Sequence, residues 1–321
     1  MAGNIKSGYE EKVSVSIRAR KKNSKYPRSV GEPRFIPYLF VGAATIYLIL
    51  FTAIPLLRGF WFSFTDSFLL APSDGKFVGL ANYQRILENS AFYKSLWTTI
   101  FYTFIVVLGS VSLGVIAAIA INEKFPGRAI FRSMLTIPWA VPGVSVVLIF
   151  NWIYNYDSGV ANQVTQALGI GQKGWLIDPS LGMFAVTFAS IWKVFPFIML
   201  VVLAALQSVP EELREAALVD GADRLSAFKT VVIPHLMPTI RVASLLMTIW
   251  SIRRFEIIYL LTGGGPSGAT NTIVINVYKQ AFESSELGRA AALGILGLLL
   301  SLSVTIVYFI VDRKNAKRDS S

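Results

Sequence analysis

Residues 215–238 read Glu215-Ala-Ala-Leu-Val-Asp-Gly-Ala-Asp-Arg-Leu-Ser-Ala-Phe-Lys-Thr-Val-Val-Ile-Pro-His-Leu-Met-Pro238. This polar island of helix formers turns at Gly221, closes with Pro234, and separates two long apolar blocks. Working outward, apolar blocks recur near 36–60, 97–121, 133–154, 181–206, 240–261 and 290–311. Each is close to the ~20 residues that cross a bilayer as a helix. The chain is 54% hydrophobic and 15% charged, where a soluble protein carries about 25% charged residues. The pattern predicts an all-α integral membrane protein with six transmembrane helices. A basic tail, 1–35, precedes one six-helix domain, 36–311; a polar loop, 209–234, interrupts it, and a short tail, 312–321, follows.

The formal charge of +11 is unevenly distributed. Segments 1–35, 122–132, 207–241 and 312–321 hold 20 Lys and Arg, against 6 in 64–96, 155–180 and 262–289. Short cytoplasmic loops are enriched in Lys and Arg, so both termini are expected on the cytoplasmic side. The basic excess therefore reads as topology and contact with anionic membrane lipid, not as nucleic-acid binding. There is no cysteine and a single histidine, His235, which excludes disulfides, thiol catalysis and a histidine-built metal site.

Trp61, Phe62 and Phe64 fit an aromatic belt at the outer end of the first helix. Phe77-Val-Gly-Leu-Ala-Asn-Tyr83 reads as a turn into a short surface helix. Pro138, Pro142 and Gly143 should bend or unwind the third helix, which is tolerated where neighbours satisfy the freed backbone groups. Pro196 marks a second kink site, in the fourth helix. The fifth is expected to run unbroken from about Thr239 to Leu261.

The polar island itself starts well as a helix. Pro210 falls in the first turn, and Glu211 and Glu212 lie at the positive end of the dipole. Gly221 permits a turn into a second short helix, 222–230. Small alanines let such a helix approach a cleft closely. Glu215 offers a charge to a partner's Arg or Lys, and the bland alternative is an ordinary hairpin between two spans.

The spacing Glu215-Ala216-Ala217, Gly221, Val231, Ile233 and Pro234 resembles the EAA loop of ABC importer permeases, and two helices follow it. The likeness covers nearly the whole chain after residue 35. Pro55-Leu-Leu-Arg-Gly-Phe60, Ser63-Phe-Thr-Asp66, Pro138-Trp139, Asp157-Ser-Gly159, Leu203-Ala-Ala-Leu-Gln207 and Leu261-Thr-Gly-Gly-Gly-Pro266 are similar to sugar-importer permeases, of the maltose and glycerol-3-phosphate branch. The resemblance implies a type I importer fold in a bacterial inner membrane. It implies as partners a second permease subunit, making a heterodimer, two ATPase subunits and an extracytoplasmic solute-binding protein. Glu215, Ala216, Ala217, Gly221, Ile233 and Pro234 would form the ATPase-coupling surface. ATP and Mg would then sit on the partner ATPases, with no cofactor on this chain. Consistently, no Gly-x-x-x-x-Gly-Lys-Ser/Thr loop is present; Gly263-Gly-Gly-Pro266 has neither the lysine nor a preceding strand.

Charges inside spans are costly and usually face a cavity or a partner. Arg253 lies 14 residues beyond Thr239, roughly 21 Å along a helix, and Lys193 falls at similar depth. On a continuous helix Arg253 and Glu256, at i and i+3, would share a face and neutralise each other. Arg254 has no acid at helical spacing. In neutral-sugar permeases similar to this chain, an uncharged Asn-containing pair stands where Arg253-Arg254 precede Phe255-Glu256. That departure points to an acidic solute, because arginine forks match carboxylate and phosphate. A uronate-containing, alginate-like oligosaccharide is the first expectation and a sugar phosphate the second. Lys193, Arg253, Arg254 and Glu256 are the charged residues of the expected pathway. Trp192, Phe195, Phe197, Trp250, Phe255 and Tyr259 are candidates to stack on sugar rings.

An ion-coupled carrier would need more mid-span acids than Glu256 and often shows internal repeats, neither of which is present. An intramembrane enzyme would need a Ser/His or His/Asp/Glu constellation, and none lies within the spans. The sequence reads as a transport subunit.

Overall fold

The computed structural model describes residues 36–319; the basic tail, 1–35, lies outside them. The chain divides into two compact units, Met1–Arg58 and Gly59–Ser321. The described part of the first holds α1 (Ile36–Leu48), a π-helical turn (Ile49–Ala53) and the start of α2 (Ile54–Phe62). The widened turn has a local cause. Pro55 has no N–H, and the Ile54 N–H instead reaches back to the carbonyl of Ile49. The same device recurs at Phe228–Val232, where the Ile233 N–H reaches Phe228 just before Pro234.

The second unit continues through α3 (Ala81–Glu88), α4 (Ser90–Asn122), α5 (Arg128–Ala140), α6 (Gly143–Ile153), α7 (Val160–Ala167) and α8 (Pro179–Gln207). Beyond these come α9 (Glu211–Val219), α10 (Arg224–Ala227), α11 (Ile233–Ile252), α12 (Glu256–Thr262), α13 (Ile273–Tyr278) and α14 (Leu287–Asp319). Among the described residues no strand forms. Five helices are long and apolar enough to cross a membrane, or six if the bent pair α5–α6 is counted as one span. Counted so, the spans number six, as expected, and the fold is all-helical. The last helix passes the expected stop at 312 and continues to Asp319.

The core lies where α4 packs along α8. Tyr102, Val106, Ser110, Gly114, Ala118 and Ile121 form one buried stripe on α4, at spacings of three and four residues. It meets Ala189, Val194, Ile198, Met199, Val202 and Leu203 of α8. Tyr102 has no access to solvent, and its hydroxyl bonds Ser190 Oγ at 2.7 Å. A buried hydroxyl needs such a partner. Gly114 lets the backbones approach: a Cβ there would lie 2.6 Å from Ile198 Cβ and 3.0 Å from the Met199 nitrogen.

At one end of the bundle, polar side chains fasten the loops. Buried Asn162 donates to the carbonyls of Tyr156 (2.9 Å) and Lys173 (3.0 Å) and accepts from Trp175 Nε1 (3.1 Å). Thr99 Oγ1 accepts the Ile273 amide at 2.9 Å, tying α13 to α4. At the opposite end lies the hairpin α9–α10, and beyond it Arg241 of α11 and Asp312 of α14 approach to 3.8 Å.

Gly114→Ala should therefore overpack the α4–α8 seam at a cost of about 1–3 kcal/mol, lowering the thermal unfolding midpoint of the purified protein. Gly109→Ala, whose new methyl meets first the terminal Ile191 Cδ1 at 2.5 Å and no backbone atom among its nearest neighbours, should lower it less.

Candidate functional site

Two places combine function-bearing residues. The first is the hairpin. Gly221 adopts φ +87°, a conformation that a side chain disfavours. It closes α9 with two bonds, Asp220 N–H to the Ala216 carbonyl (2.9 Å) and Ala222 N–H to that of Ala217 (3.0 Å). Asp223 then starts α10 by accepting the Ser226 amide at 2.8 Å. Those Ser226 hydrogen bonds hold its carboxyl below the usual aspartate range. Glu215 and Ala216 are exposed, Ala217 and Ile233 half-buried, and Pro234 exposed. Beside them Leu213, Leu225 and Val219 stand in the open, Val219 at 86% exposure. The hairpin thus displays apolar side chains on an otherwise polar turn. From Leu225 the chain runs as one 28-residue helical span to Ile252, a rod of ~42 Å.

The second place is where that rod ends. The expected continuous fifth helix is not observed: α11 stops at Ile252, residues 253–255 leave helical geometry, and α12 begins at Glu256. The expected Arg253–Glu256 ion pair is consequently absent, because i and i+3 share a face only on an unbroken helix. The third span breaks as its prolines predict, with a 99° bend between α5 and α6. α12 packs against α6, so the two breaks meet. The Glu256 carboxylate lies directly on Gly143, where any Cβ would overlap it. Lys193 Nζ, from α8, donates to the Val141 carbonyl within the third-span break at 2.6 Å. Arg254 is within electrostatic range of Lys193 and Tyr102. Its Nε is buried and has no hydrogen-bond partner, as is true of Ser251 Oγ and Thr103 Oγ1. Arg253 is exposed. Among the described residues neither arginine forms an ion pair.

One helical turn toward the hairpin lies an aromatic layer. Phe197 follows Lys193 by four residues, Trp250 precedes Arg254 by four, and Trp139 precedes Val141 by two. Their rings form a cluster with centroids 5.1 Å (Trp139–Phe197), 5.2 Å (Phe197–Trp250) and 6.0 Å (Trp139–Trp250) apart. Farther along sits an apolar groove of about 330 Å³, lined by Phe197, Val201, Pro238, Val242 and Leu246. On the opposite side of the charges, Phe255 stacks on Tyr259 at 4.9 Å, and both touch Tyr278.

The fold thus gathers Lys193, Arg254 and Glu256, and brings Phe197 and Trp250 together one turn below them. It does not bring Trp192 there: that ring packs edge-on against Phe150 at 5.5 Å. Phe195 is buried at 5% exposure. Trp139 and Tyr278 were not among the sequence candidates. The signal for Trp139 was its place between Pro138 and the break at Pro142. Among the described residues no group of three or more His, Cys, Asp or Glu could hold a metal.

Comparison with known proteins agrees with this fold. Residues 110–317 match the family described as binding-protein-dependent transport system inner membrane component. The trehalose/maltose transport system permease of Thermococcus litoralis is 38% identical over 86% of this chain and 93% of its own. The sulfoquinovosyl glycerol permease of Agrobacterium fabrum is 34% identical over 87% and 91%. Among solved structures, a bacterial ABC transporter that imports alginate superposes with a TM-score of 0.78 at 21% identity, over 87% of this chain and 96% of its own. The chain belongs to the permease family of binding-protein-dependent ABC importers, among the sugar permeases. It is a multi-pass inner-membrane transport subunit, not an enzyme.

The Asp223 cap gives a pH test on the hairpin. Its depressed pKa means that the cap is fully formed above the ordinary aspartate pKa of about 3.9 and is lost as pH falls through a lower value. Protection of the Ser226 amide, corrected for intrinsic exchange, should persist to about pH 4 and vanish only in stronger acid; Asp223→Ala should abolish it at every pH.

Proposed function

We propose that this chain forms one half of the translocation path for an acidic oligosaccharide, with a uronate-containing chain as the preferred class. One observation carries the reading: Arg253 and Arg254 stand at the meeting of two broken spans with no acidic partner among the described residues, and Arg254 Nε is buried and unbonded. Arg254 is half-buried with its Nε unbonded; a buried polar atom without a partner is costly, and an anionic ligand nearby offsets that cost. Two guanidinium forks beside aromatic rings suit a sugar acid: the forks take the carboxylates and the rings take the C–H faces. A sugar phosphate is the second reading, because the same forks match phosphate. The relatives' names include both trehalose/maltose and a sulfoquinovosyl solute, so the arginines, not the names, support the choice.

The working unit in this reading pairs the chain with a second permease, two ATPase subunits that bind ATP and Mg, and an extracytoplasmic binding protein. The termini and the hairpin face the cytoplasm, as the 20-to-6 division of Lys and Arg supports. Exposed Glu215, Ala216 and Val219 then lie in the ATPase's grip. The rod Leu225–Ile252 carries their displacement to Trp250 and the arginine pair. Alternating access follows: ATPase closure moves the rod and exposes the site to solute arriving from outside.

Proteoliposomes of the complete importer test the solute class. Arg253→Gln with Arg254→Gln should cut uptake of an alginate trisaccharide about 100-fold or more, from two charge-assisted bonds of about 1.5–3 kcal/mol each. Unchanged uptake at normal protein level discards the acidic-solute reading. Deleting 215–221 in a protein that still inserts should abolish ATP-driven uptake; residual transport driven by an ion gradient would contradict coupling through the hairpin.

A further inference from the structure

The break in the third span creates two helix ends inside the bilayer. Pro142 has no N–H, so the Pro138 carbonyl loses its helical partner, and the 99° bend carries the Val141 carbonyl out of line with α6. The Val141 N–H still bonds Ile137 at 3.2 Å, and Pro142 accepts Val146 at 3.1 Å, so each half-helix is regular up to the break. What remains is a carbonyl-bearing end of α5, with partial negative charge, facing an amide-bearing end of α6, with partial positive charge. In lipid neither end can be left bare.

The two ends receive opposite charges from two other helices. At the carbonyl end, Lys193 of α8 donates to Val141 at 2.6 Å. At the amide end, the carboxylate of Glu256, first residue of α12, lies over Gly143, first residue of α6. Each sign is the one its dipole end favours. Gly143 leaves room for that carboxylate, which a Cβ there would displace.

We infer that Lys193 and Glu256 are positioning residues that clamp the third-span break, and that the solute does not bind to either. The clamp fixes Trp139, two residues before Val141, against Phe197 and Trp250. It also explains how three cations and a single carboxylate coexist at one depth. Lys193 and Glu256 serve the break, and only Arg253 and Arg254 are left for the solute. The assignment rests on the solute-site reading for its consequence, but its first test contains no solute.

That test is hydrogen exchange on the purified complete importer in nanodiscs, read over amides 140–146. Lys193→Met, Glu256→Gln and Gly143→Ala should each accelerate exchange there about 10-fold or more, and Lys193→Arg should keep it near wild type. Wild-type exchange in Lys193→Met or in Glu256→Gln overturns the clamp. If Lys193→Met does not assemble, Lys193→Arg decides: assembly with a protected break supports the clamp, and failure of both overturns it. The second readout is ATP hydrolysis stimulated by the solute-loaded binding protein, using alginate trisaccharide or maltotriose, whichever stimulates the wild type. Removing the positive charge and removing the negative charge should raise the apparent KM in the same direction, about 10-fold each. Opposite effects, with Lys193→Met weakening and Glu256→Gln strengthening an acidic probe, would mean direct contact with solute and would overturn the assignment.

Discussion

An amide backbone crossing hydrocarbon must satisfy itself, and this chain breaks that rule at the centre of two spans. The arrangement of charges around the breaks follows from how they are repaired. The hydrogen bond from Lys193 to the Val141 carbonyl, 2.6 Å long, replaces one that α5 can no longer make. Because a charged donor does the repair, the break becomes an electrostatic centre as well as a bend. Glu256 completes it from α12, and the arginine pair stands beside it without acidic partners among the described residues. Irregular backbone at membrane depth is tolerated only where protein or a polar cavity receives it, and that condition is what a solute site requires.

The same breaks set the mechanics. The rod from Leu225 to Ile252 is continuous with the hairpin at one end and stops at Arg253 at the other. Above the stop, α12 is packed on α6 and has its own attachments. In the proposed cycle a push on the hairpin is delivered to Trp250 and the arginines, while the far half-helices stay in place. Moving Trp250 away from Trp139 and Phe197 would open the aromatic layer that lies between the charges and the apolar groove of about 330 Å³. Release of solute and opening of the route could thus be one motion.

Much of this was legible from residue types alone. Six apolar blocks set the bundle, and Pro138, Pro142 and Gly143 announced the third-span bend because each removes or weakens a backbone bond. Gly221 announced the hairpin's turn. Pro196 shows the limit of that logic: α8 runs through it unbroken from Pro179 to Gln207, held by burial on most sides. The break at 253–255 carried no such signal, since Arg253, Arg254 and Phe255 are all compatible with helix. It coincides with a tertiary contact, where Glu256 meets Gly143. The Arg253–Glu256 pairing expected from i, i+3 spacing failed for that reason. Trp139 escaped notice because only the bend brings it to Phe197 and Trp250.

The most direct measurement is a density map of the complete importer with solute bound. The account predicts an acidic group of the solute within hydrogen-bond distance of Arg253 or Arg254, with Lys193 still on Val141 and an ATPase subunit closed around Glu215. A carboxylate from the neighbouring permease paired with both arginines, and the sugar lodged elsewhere, would contradict it.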